Sequence, residues 1–384
     1  MVSIVDIRFP YLRNFTLESS AATAYSLLMA ELRQKRSGYS GGADSQSAVS
    51  RLFGMHGRKS RLVRSAAAMC MFCGLAAAAP VTLKRGEGKI DVSIDSKPFT
   101  TYYFNKDVAK PYLMPLRTAS GIVISRNFPI VNAVTAADQK TRSFEPHQRP
   151  LYFAHGDIDG LNFWSEEAFS RYYHGHDRQA YGRMALVQVD EVKDGADAGT
   201  VRARFHLLAP GGRVIADETQ TFRFSGDNRT RIIDCEFVVE ANQGPVTFGD
   251  TKEGTFAVRL GPELSAPHDH MINSNGAQGE PAIWGKPADW VEYSGMVSGK
   301  SVSVAVFDHP KSFRHPTTWH ARAYGLLAAN PFGLREFAND PKKDGSWTVP
   351  EGKSLTFRYR VIIDESSLSG AQLAAMYRQY TESE

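Results

Sequence analysis

Apolar and polar residues alternate in short runs along the chain from residue 81 onward. In residues 201–207 (VRARFHL) every second side chain is apolar, which is the pattern of an antiparallel strand with one dry face. Turn sequences such as Pro-Gly-Gly at 210–212 and Gly-Asp-Asn at 226–228 separate neighbouring runs. The pattern predicts strands at 89–94, 100–104, 112–116, 183–190, 200–208, 214–224, 229–239, 255–260, 291–294, 301–307 and 354–363.

Helical signals are scarce. The clearest covers residues 367–380, where Leu373, Met376 and Tyr377 recur at helical spacing. Because strands do not alternate with long helices, the chain is predicted to be all-β, a large sandwich of two antiparallel sheets with a short C-terminal helix. No Pro- or Gly-rich linker divides residues 80–384, which are therefore expected to form a single domain.

Residues 55–79 have the three-part layout of a secretory signal. Four cations, Arg58, Lys59, Arg61 and Arg64, precede an uncharged run that ends in small residues. The alternative is a buried helix, but clustered cations directly before an apolar run fit a packed core poorly. The run is shorter than the roughly 20 residues of a membrane-spanning helix. We therefore expect a periplasmic or secreted protein with no stable membrane span in its mature form.

Residues 1–54 precede this signal, although a signal begins a chain. They contain one helical stretch, 21–35, followed by a polar, Gly- and Ser-rich stretch at 37–50. We interpret residues 1–54 as a non-native or disordered extension from an over-long gene model that should start at Met55. The alternative is a genuine extension with a stop-transfer role.

Charge and cysteine content exclude one class of partner and two kinds of site. Lys and Arg number 45 against 41 Asp and Glu, but residues 1–80 carry the whole basic excess. A phosphate-binding surface needs an excess of cations, so no nucleic-acid partner is expected. Cys235 is the single cysteine after the predicted signal, which excludes an intrachain disulfide and a cysteine-rich metal site there.

Polar, aromatic and histidine residues concentrate in four stretches predicted as loops, at 145–164, 248–254, 273–286 and 307–333. Such residues on loops of a rigid sheet scaffold commonly carry binding and catalysis. The most distinctive motifs are Gly-Asp-Thr-Lys-Glu-Gly at 249–254, Ile-Trp-Gly at 283–285, Asp-His-Pro at 308–310, Trp-His-Ala-Arg-Ala-Tyr-Gly at 319–325 and Asn-Pro-Phe-Gly at 330–333.

With these motifs the chain resembles, over about residues 110–363, a bacterial family of unknown function labelled "methane oxygenase PmoA". The first stretch departs from the family pattern, because Glu145, Gln148 and Pro150 replace an Asp, a second His and a Gly. The label itself is misleading, since the membrane enzyme needs several spanning helices and the body has no apolar run of about 18 residues. The resemblance implies a mutarotase-like supersandwich and points towards carbohydrate.

The residue types agree with a sugar site, which pairs flat aromatic faces with groups that hydrogen-bond hydroxyls. The candidate aromatic faces are Trp164, Trp284, Trp319 and Tyr324. The candidate hydrogen-bonding residues are His147, Asp157, Lys252, Arg322 and Asn330.

Histidine is the natural proton carrier near neutral pH, so His155, His309 and His320 are the candidate acid–base residues, with Glu253 as a carboxylate partner. The alternative for each histidine is a hydrogen-bonded structural role. Lys252 and Glu253, if adjacent on a strand, would point to opposite faces, so at most one should enter the site. Their alternative is a surface ion pair.

Metal binding is the competing use of histidine. The sequences His-Asp-His at 268–270 and His-Gly-His-Asp at 174–177 have the two-apart spacing, but we prefer exposed loop histidines and expect neither a metal nor another cofactor. A glycosidase pair is not assigned. Its candidates are Asp157, Asp250, Glu253 and Asp308.

The sequence thus favours an exported carbohydrate-active enzyme, a hydrolase, lyase or epimerase-like protein, acting on a small-molecule or oligosaccharide substrate. Two alternatives stay open: a non-catalytic carbohydrate-binding module, and a metal-dependent enzyme with a non-sugar substrate. The main hypothesis requires the imidazole, indole and guanidinium groups to meet around one hollow. Reaction type, sugar identity and oligomeric state are left open.

Overall fold

A computed structural model describes residues 78–126, 147–167, 180–265 and 269–382. All of them belong to one compact unit. The predicted extension at 1–54 and nearly all of the predicted signal at 55–79 lie outside the described residues, so both stay predictions.

The strands, in chain order, are β1 Val81–Gly86, β2 Lys89–Ile94, β3 Lys97–Tyr103, β4 Tyr112–Met114, β5 Leu151–Phe153, β6 Leu161–Asn162, β7 Ala180–Tyr181, β8 Arg183–Lys193, β9 Ala198–Leu208, β10 Val214–Gly226, β11 Thr230–Glu240, β12 Val246–Phe248, β13 Phe256–Arg259, β14 Asp269–Asn273, β15 Trp290–Val297, β16 Lys300–Asp308, β17 Trp319–Arg322, β18 Leu326–Ala329, β19 Trp347–Val349 and β20 Ser354–Asp364. The α-helices are α1 Glu280–Ile283, α2 Leu334–Ala338 and α3 Gly370–Glu382, and 3-10 turns occur at Pro210–Gly212 and Pro262–Leu264.

Most strands form two eight-stranded antiparallel sheets. Sheet 1 has the order β1-β2-β3-β4-β5-β13-β18-β17, and sheet 2 has the order β14-β15-β16-β20-β11-β10-β9-β8. Two small two-stranded pairs, β12 with β19 and β6 with β7, lie outside these sheets.

Aromatic rings join the inner faces of the two sheets. Phe153 of sheet 1 stacks on Phe237 of sheet 2 with ring centroids 4.3 Å apart. Phe256 and Tyr359 stack in the same way at 4.7 Å. Each of these four side chains is essentially inaccessible to solvent. Their burial makes the contact between the sheets the main hydrophobic core of the molecule.

The outer face of sheet 1 is defined by residues that alternate with this core. Strand register places one row of outward side chains directly across six strands, because opposing residues of antiparallel neighbours share a face. The row runs Tyr103, Tyr112, Tyr152, Ala257, Ala328, His320. Two alanines therefore separate the tyrosines from His320.

Helix α3 covers part of the outer face of sheet 2. Leu373 and Tyr380 of the helix form a second apolar cluster with Trp290, Phe307 and Ile362 of the sheet. This helix is amphipathic and short, and no helix in the described part of the chain has the length and apolar character needed to span a bilayer.

The predicted all-β antiparallel sandwich with a short C-terminal helix is confirmed. Strand β2 coincides with its prediction, and the other predicted strands overlap an observed one. The helix begins three residues later than predicted, at Gly370. Short strands β5, β12, β17, β18 and β19 escaped prediction because runs of three or four residues show no measurable periodicity.

A buried hydrogen bond joins the two sheets and continues to a buried glutamate. The Tyr102 hydroxyl of sheet 1 donates to Gln220 Oε1 of sheet 2 at 2.7 Å. Gln220 Nε2 in turn donates to Glu218 Oε1 at 2.6 Å. Glu218 is fully buried, and burial raises its pKa to about 8 despite this hydrogen bond. The folded protein therefore holds Glu218 protonated at neutral pH.

Glu218→Gln should stabilise the protein, increasingly as pH rises from about 4.5 to 8. Over this range the unfolded chain releases the proton while the fold retains it, so wild-type stability falls. The advantage of the variant should reach the order of 4 kcal/mol at pH 8 and be near zero at pH 4.5. Urea unfolding at several pH values measures it. Glu240→Gln, at an exposed position of β11, is the control; a pH-independent difference for Glu218→Gln would contradict the prediction.

Candidate functional site

The Gly-Asp-Thr-Lys-Glu-Gly motif forms a loop, residues 249–254, between β12 and β13. Backbone hydrogen bonds hold it at both ends. The Gly249 amide donates to the Asp157 carbonyl at 2.8 Å, and the Gly156 amide donates to the Glu253 carbonyl at 2.6 Å. His155 Nε2 lies 2.8 Å from the Gly249 carbonyl, to which it donates. The stretch around His155 is thus the support for this loop.

His155 lies inside the molecule, behind the loop. Its ring packs against Phe248 at 5.6 Å and Phe332 at 4.9 Å between centroids, and the residue is 0% exposed. Burial lowers the pKa of His155 to about 4, although the bond to Gly249 opposes the change. His155 is therefore a neutral, positioning residue in this structure. Its side chain does not reach the surface that bears Lys252 and Glu253.

Side chains from two other segments fix the middle of the loop. Asn330 is fully buried, and its Nδ2 donates to the Thr251 carbonyl at 2.9 Å. The Asp250 carboxylate accepts the amides of Arg335 and Gly345, at 3.0 Å and 2.6 Å. Asn330 was predicted to bind substrate, but here its amide is occupied by the loop.

Lys252 and Glu253 project from this loop towards the same side. Lys252 Nζ lies 3.6 Å from Glu253 Oε1 and 2.7 Å from Glu336 Oε2 of α2. The two side chains are 36% and 32% exposed. The expectation that they point to opposite faces was wrong, because the segment is a loop and the alternation of a strand does not apply.

The two groups have shifted pKa values. Burial raises the pKa of Glu253, and the neighbouring Glu336 adds to the rise, while Lys252 and Arg322 oppose it. Burial lowers the pKa of Lys252, but the carboxylates of Glu253 and Glu336 outweigh it and the net shift is upward.

His320 of β17 stands beside the loop. Its Nδ1 is buried with no hydrogen-bond partner, so the bond that the imidazole makes to the Lys252 backbone uses Nε2. Burial, followed by the charges of Arg322 and Lys252, lowers the pKa of His320 to about 3. The ring is neutral at pH 7, with the proton on Nε2 and a free lone pair on Nδ1.

Arg322 lies two residues further along β17, on the same face as His320. Its Nε is 3.0 Å from Glu280 Oε1 of α1, and the side chain is 31% exposed. Trp284 follows α1, and its ring lies edge-on to the His320 ring at 6.5 Å. Trp284 Nε1 is also buried without a hydrogen-bond partner.

Lys252, Glu253, His320 and Arg322 thus form one electrostatically coupled group, which we call the four-residue cluster. Sequence reasoning had selected each of them. The structure brings these four together from two distant segments, the 249–254 loop and strand β17.

His309 does not join the cluster. It follows β16 and is 1% exposed, with its ring edge-on to Tyr380 of α3 at 4.9 Å. Its Nδ1 accepts the Lys311 amide at 3.0 Å. Helix α3 covers the outer face of sheet 2, whereas His320 is on sheet 1. The expectation of three histidines around one hollow is therefore corrected, because alternation along β16 turns His309 towards the helix.

The predicted stacking residues are mostly internal. Trp164 is 0% exposed and packs on Tyr152 at 4.9 Å. Trp319 is also 0% exposed and donates from Nε1 to the Ala288 carbonyl at 2.9 Å. Both indoles are covered by protein, so the expectation that they present open faces to a sugar is corrected. Tyr324 is half-buried.

The remaining predicted binding residues have local roles. Asp157 Oδ1 accepts the Gly160 amide at 2.8 Å within a turn. His147 is 3% exposed, and burial, followed by the charges of Lys110, Arg126, Arg149 and Arg259, holds its pKa well below the ordinary value. The ring of Tyr324 lies under the guanidinium groups of Arg259 at 4.8 Å and Arg322 at 5.6 Å.

Sequence reasoning missed a buried ion cluster near His147. Glu166 pairs with Lys110 Nζ at 2.9 Å and with Arg149 Nη2 at 2.5 Å, and all three side chains are at most 5% exposed. Burial raises the pKa of Glu166, but the two cations outweigh it and the net shift is downward. The charges lie 56 and 17 residues apart along the chain, so no local motif announces them.

A second omission is His315. Its Nδ1 lies 2.8 Å from Asp308 Oδ2, and its Nε2 lies 3.5 Å from Asp289 Oδ1. Partial burial lowers the pKa of His315, but the hydrogen bond and charge of Asp308 produce a net rise. Burial also raises the pKa of Asp308. Because the Thr317 amide and the imidazole both donate to Oδ2, the geometry supports an ionised Asp308 with a protonated His315.

No group of three or more metal-binding side chains occurs within the four described ranges. The histidines at 174 and 176 fall outside those ranges, as does His268, while His270 is exposed on β14. Metal binding by these histidines therefore stays untested.

Gly254→Ala should destabilise the protein by roughly 2 kcal/mol, since overpacking a filled interior forces neighbours apart. A Cβ at residue 254 would lie 2.3 Å from His155 Nδ1. Adding His155→Ala should recover part of the loss, measured against His155→Ala alone by urea unfolding. Gly370→Ala, where a Cβ meets nothing within 4 Å, is the control. Equal effects at the two glycines would refute this packing.

His315→Gln should cost on the order of 1 kcal/mol at low pH, because hydrogen bonds between charged groups are lost. The folded pKa of His315 is raised, so its contribution is fully present below about pH 6.5, the unfolded value, and is lost as pH rises through the folded value. Unfolding at pH 5.5, 7 and 9 measures the difference from wild type. His270→Gln at an exposed site is the control, and a difference that grows with pH would contradict the prediction.

Several solved structures and one sequence family are similar to this chain. The similar solved structures include a galactose mutarotase-like protein from Clostridium acetobutylicum (11% identity, 75% of this chain and 99% of that chain covered, TM-score 0.39), an alpha-galactosidase from Lactobacillus brevis (7%, 78% and 42%, 0.36) and a protein from Synechocystis (9%, 76% and 93%, 0.31). None of the curated proteins matches the sequence. Residues 89–378 match a family defined by sequence, and the chain accordingly belongs to DUF6807, a family of unknown function.

Proposed function

We propose that the protein is a carbohydrate-active enzyme whose site is the four-residue cluster. The observation that carries the proposal is that one partly exposed cluster holds a carboxyl that tends to be protonated and an imidazole that tends to be unprotonated. Glu253 has a raised pKa, and His320 is neutral with an unpaired acceptor. At one pH these shifts favour a protonated Glu253 and leave His320 unprotonated, which are the starting states of a proton donor and a proton acceptor.

His320 is the proposed proton acceptor. Its Nε2 is committed to the Lys252 backbone, which fixes the tautomer and leaves Nδ1 as a buried lone pair without a hydrogen-bond partner. A buried acceptor without a protein partner is the kind of group that a substrate hydroxyl satisfies.

Glu253 is the proposed proton donor. Its raised pKa favours the protonated carboxyl, and the loop supported by His155 and Asn330 fixes its place beside Lys252. In this proposal His155 and Asn330 act as positioning residues. This is a different role from the catalytic and binding roles expected from the sequence.

Sugar recognition is proposed from the mixture of donors and acceptors around this pair. Lys252 and Arg322 are each held by a carboxylate, Glu336 and Glu280, so their remaining donors and the carboxylate oxygens face hydroxyls in fixed directions. The nearby indole of Trp284 adds an apolar surface and an unpaired N–H. Cations beside a base also favour reactions that build negative charge, as lyases and epimerases do.

Turnover by purified protein on neutral oligosaccharides, uronic acid-containing oligosaccharides and keto-sugars tests the proposal. Glu253→Gln and His320→Gln should each reduce kcat at least about 100-fold, because general acid–base catalysis contributes factors of that size. Release of reducing ends reports hydrolysis, an unsaturated product reports a lyase, and a changed stereocentre by NMR reports an epimerase. Glu240→Gln and His270→Gln are the matched exposed controls.

Full activity of the Glu253→Gln, His320→Gln double variant would show that the chemistry lies elsewhere. Binding of a sugar without turnover would instead identify a non-catalytic carbohydrate-binding module. Elemental analysis of the same preparation addresses the metal-dependent alternative. The expected export of the protein stays a prediction.

A further inference from the structure

Trp347 is an exposed aromatic residue at the end of the sandwich. It begins β19, opposite Phe248 of β12, and is 44% exposed. Among the described residues, the other large hydrophobic side chains exposed to this extent are aliphatic. Single exposed hydrophobic residues are common on protein surfaces, so exposure alone indicates nothing.

What distinguishes Trp347 is how firmly its ring is held. The Phe313 ring packs against it at 5.5 Å, and the Arg314 guanidinium carbon lies 5.5 Å from its centroid. Arg314 donates to the carbonyls of Pro331 and Ser346, both at 3.1 Å, and to that of Gly345. A guanidinium committed to three carbonyls keeps its place, so together with Phe313 it gives the indole a fixed surface to pack against.

Hydrogen bonds and an ion pair connect the segment that bears Trp347 to the four-residue cluster. The Asp250 carboxylate accepts the Gly345 amide, two residues before Trp347, and the Arg335 amide of α2. The next residue of α2, Glu336, binds Lys252. Trp347 and the cluster therefore belong to one hydrogen-bonded loop assembly at the same end of the molecule.

We propose that Trp347 is a stacking platform for a distal ring of an oligosaccharide whose reacting ring occupies the four-residue cluster. This inference rests on the proposed function and narrows its substrate to chains of several sugar rings. A pre-ordered indole pays little conformational entropy on binding, and its face matches the C–H surface of a pyranose.

Calorimetric titration of the full chain with gluco-, xylo-, chito- and galacturono-oligosaccharides of one to six rings tests the inference. In the series that binds, wild-type affinity should rise about tenfold between the shortest and the longest chains, the size of one good aromatic contact. Trp347→Ala should abolish this gain and leave the affinity for the shortest ligand unchanged. Trp347→Phe should retain most of it, and Met296→Ala, at a residue 56% exposed, is the control.

An equal gain with length in Trp347→Ala, with unfolding midpoints unchanged, overturns the inference and leaves the proposed function intact. Loss of the gain in Trp347→Ala, together with full turnover by the Glu253→Gln, His320→Gln double variant, supports the platform and overturns the proposed catalytic site. Failure of every glycan series to bind the wild-type protein overturns both.

Discussion

The candidate site depends on one contact, the hydrogen bond from buried His155 to the Gly249 carbonyl at the edge of the aromatic core. Phe248 and Phe332 stack on each other at 4.9 Å and enclose the imidazole, so the bond forms in a dry environment where it is strong. The loop that carries Lys252 and Glu253 starts from this bond. Its conformation is consequently set by the packing between the two sheets.

Ion pairing explains why charged groups can gather at the end of the sandwich. Each charged side chain of the cluster has a partner: Lys252 has Glu336, and Arg322 has Glu280. Pairing offsets part of the cost of removing these groups from water. His320 is the exception, because its Nδ1 lacks a partner and its neutrality avoids a buried charge. The site therefore combines ion-paired charges with buried polar atoms that lack a hydrogen-bond partner, namely His320 Nδ1, Arg322 Nε and Trp284 Nε1.

Sequence periodicity was sufficient to predict the long strands and the fold class, since the alternation along residues such as 201–207 shows which face of a strand is buried. It was insufficient for the site. Lys252 and Glu253 lie in a loop, where alternation gives no direction to side chains. The burial of His309 depends on α3, an element more than sixty residues later in the chain. Lys110 and Trp164 are buried against each other although 54 residues separate them in the sequence, and no local pattern contains such a contact.

Strand order has a consequence for biosynthesis. Strand β20, close to the C-terminal end of the described residues, lies in the interior of sheet 2 between β16 and β11. Neither half of that sheet is complete until β20 inserts, and the pairing joins segments more than a hundred residues apart. Long-range pairings of this kind slow folding. Synthesis must therefore proceed beyond residue 364 before the sandwich closes, and the strand edges that flank the gap stay exposed to chaperones until then.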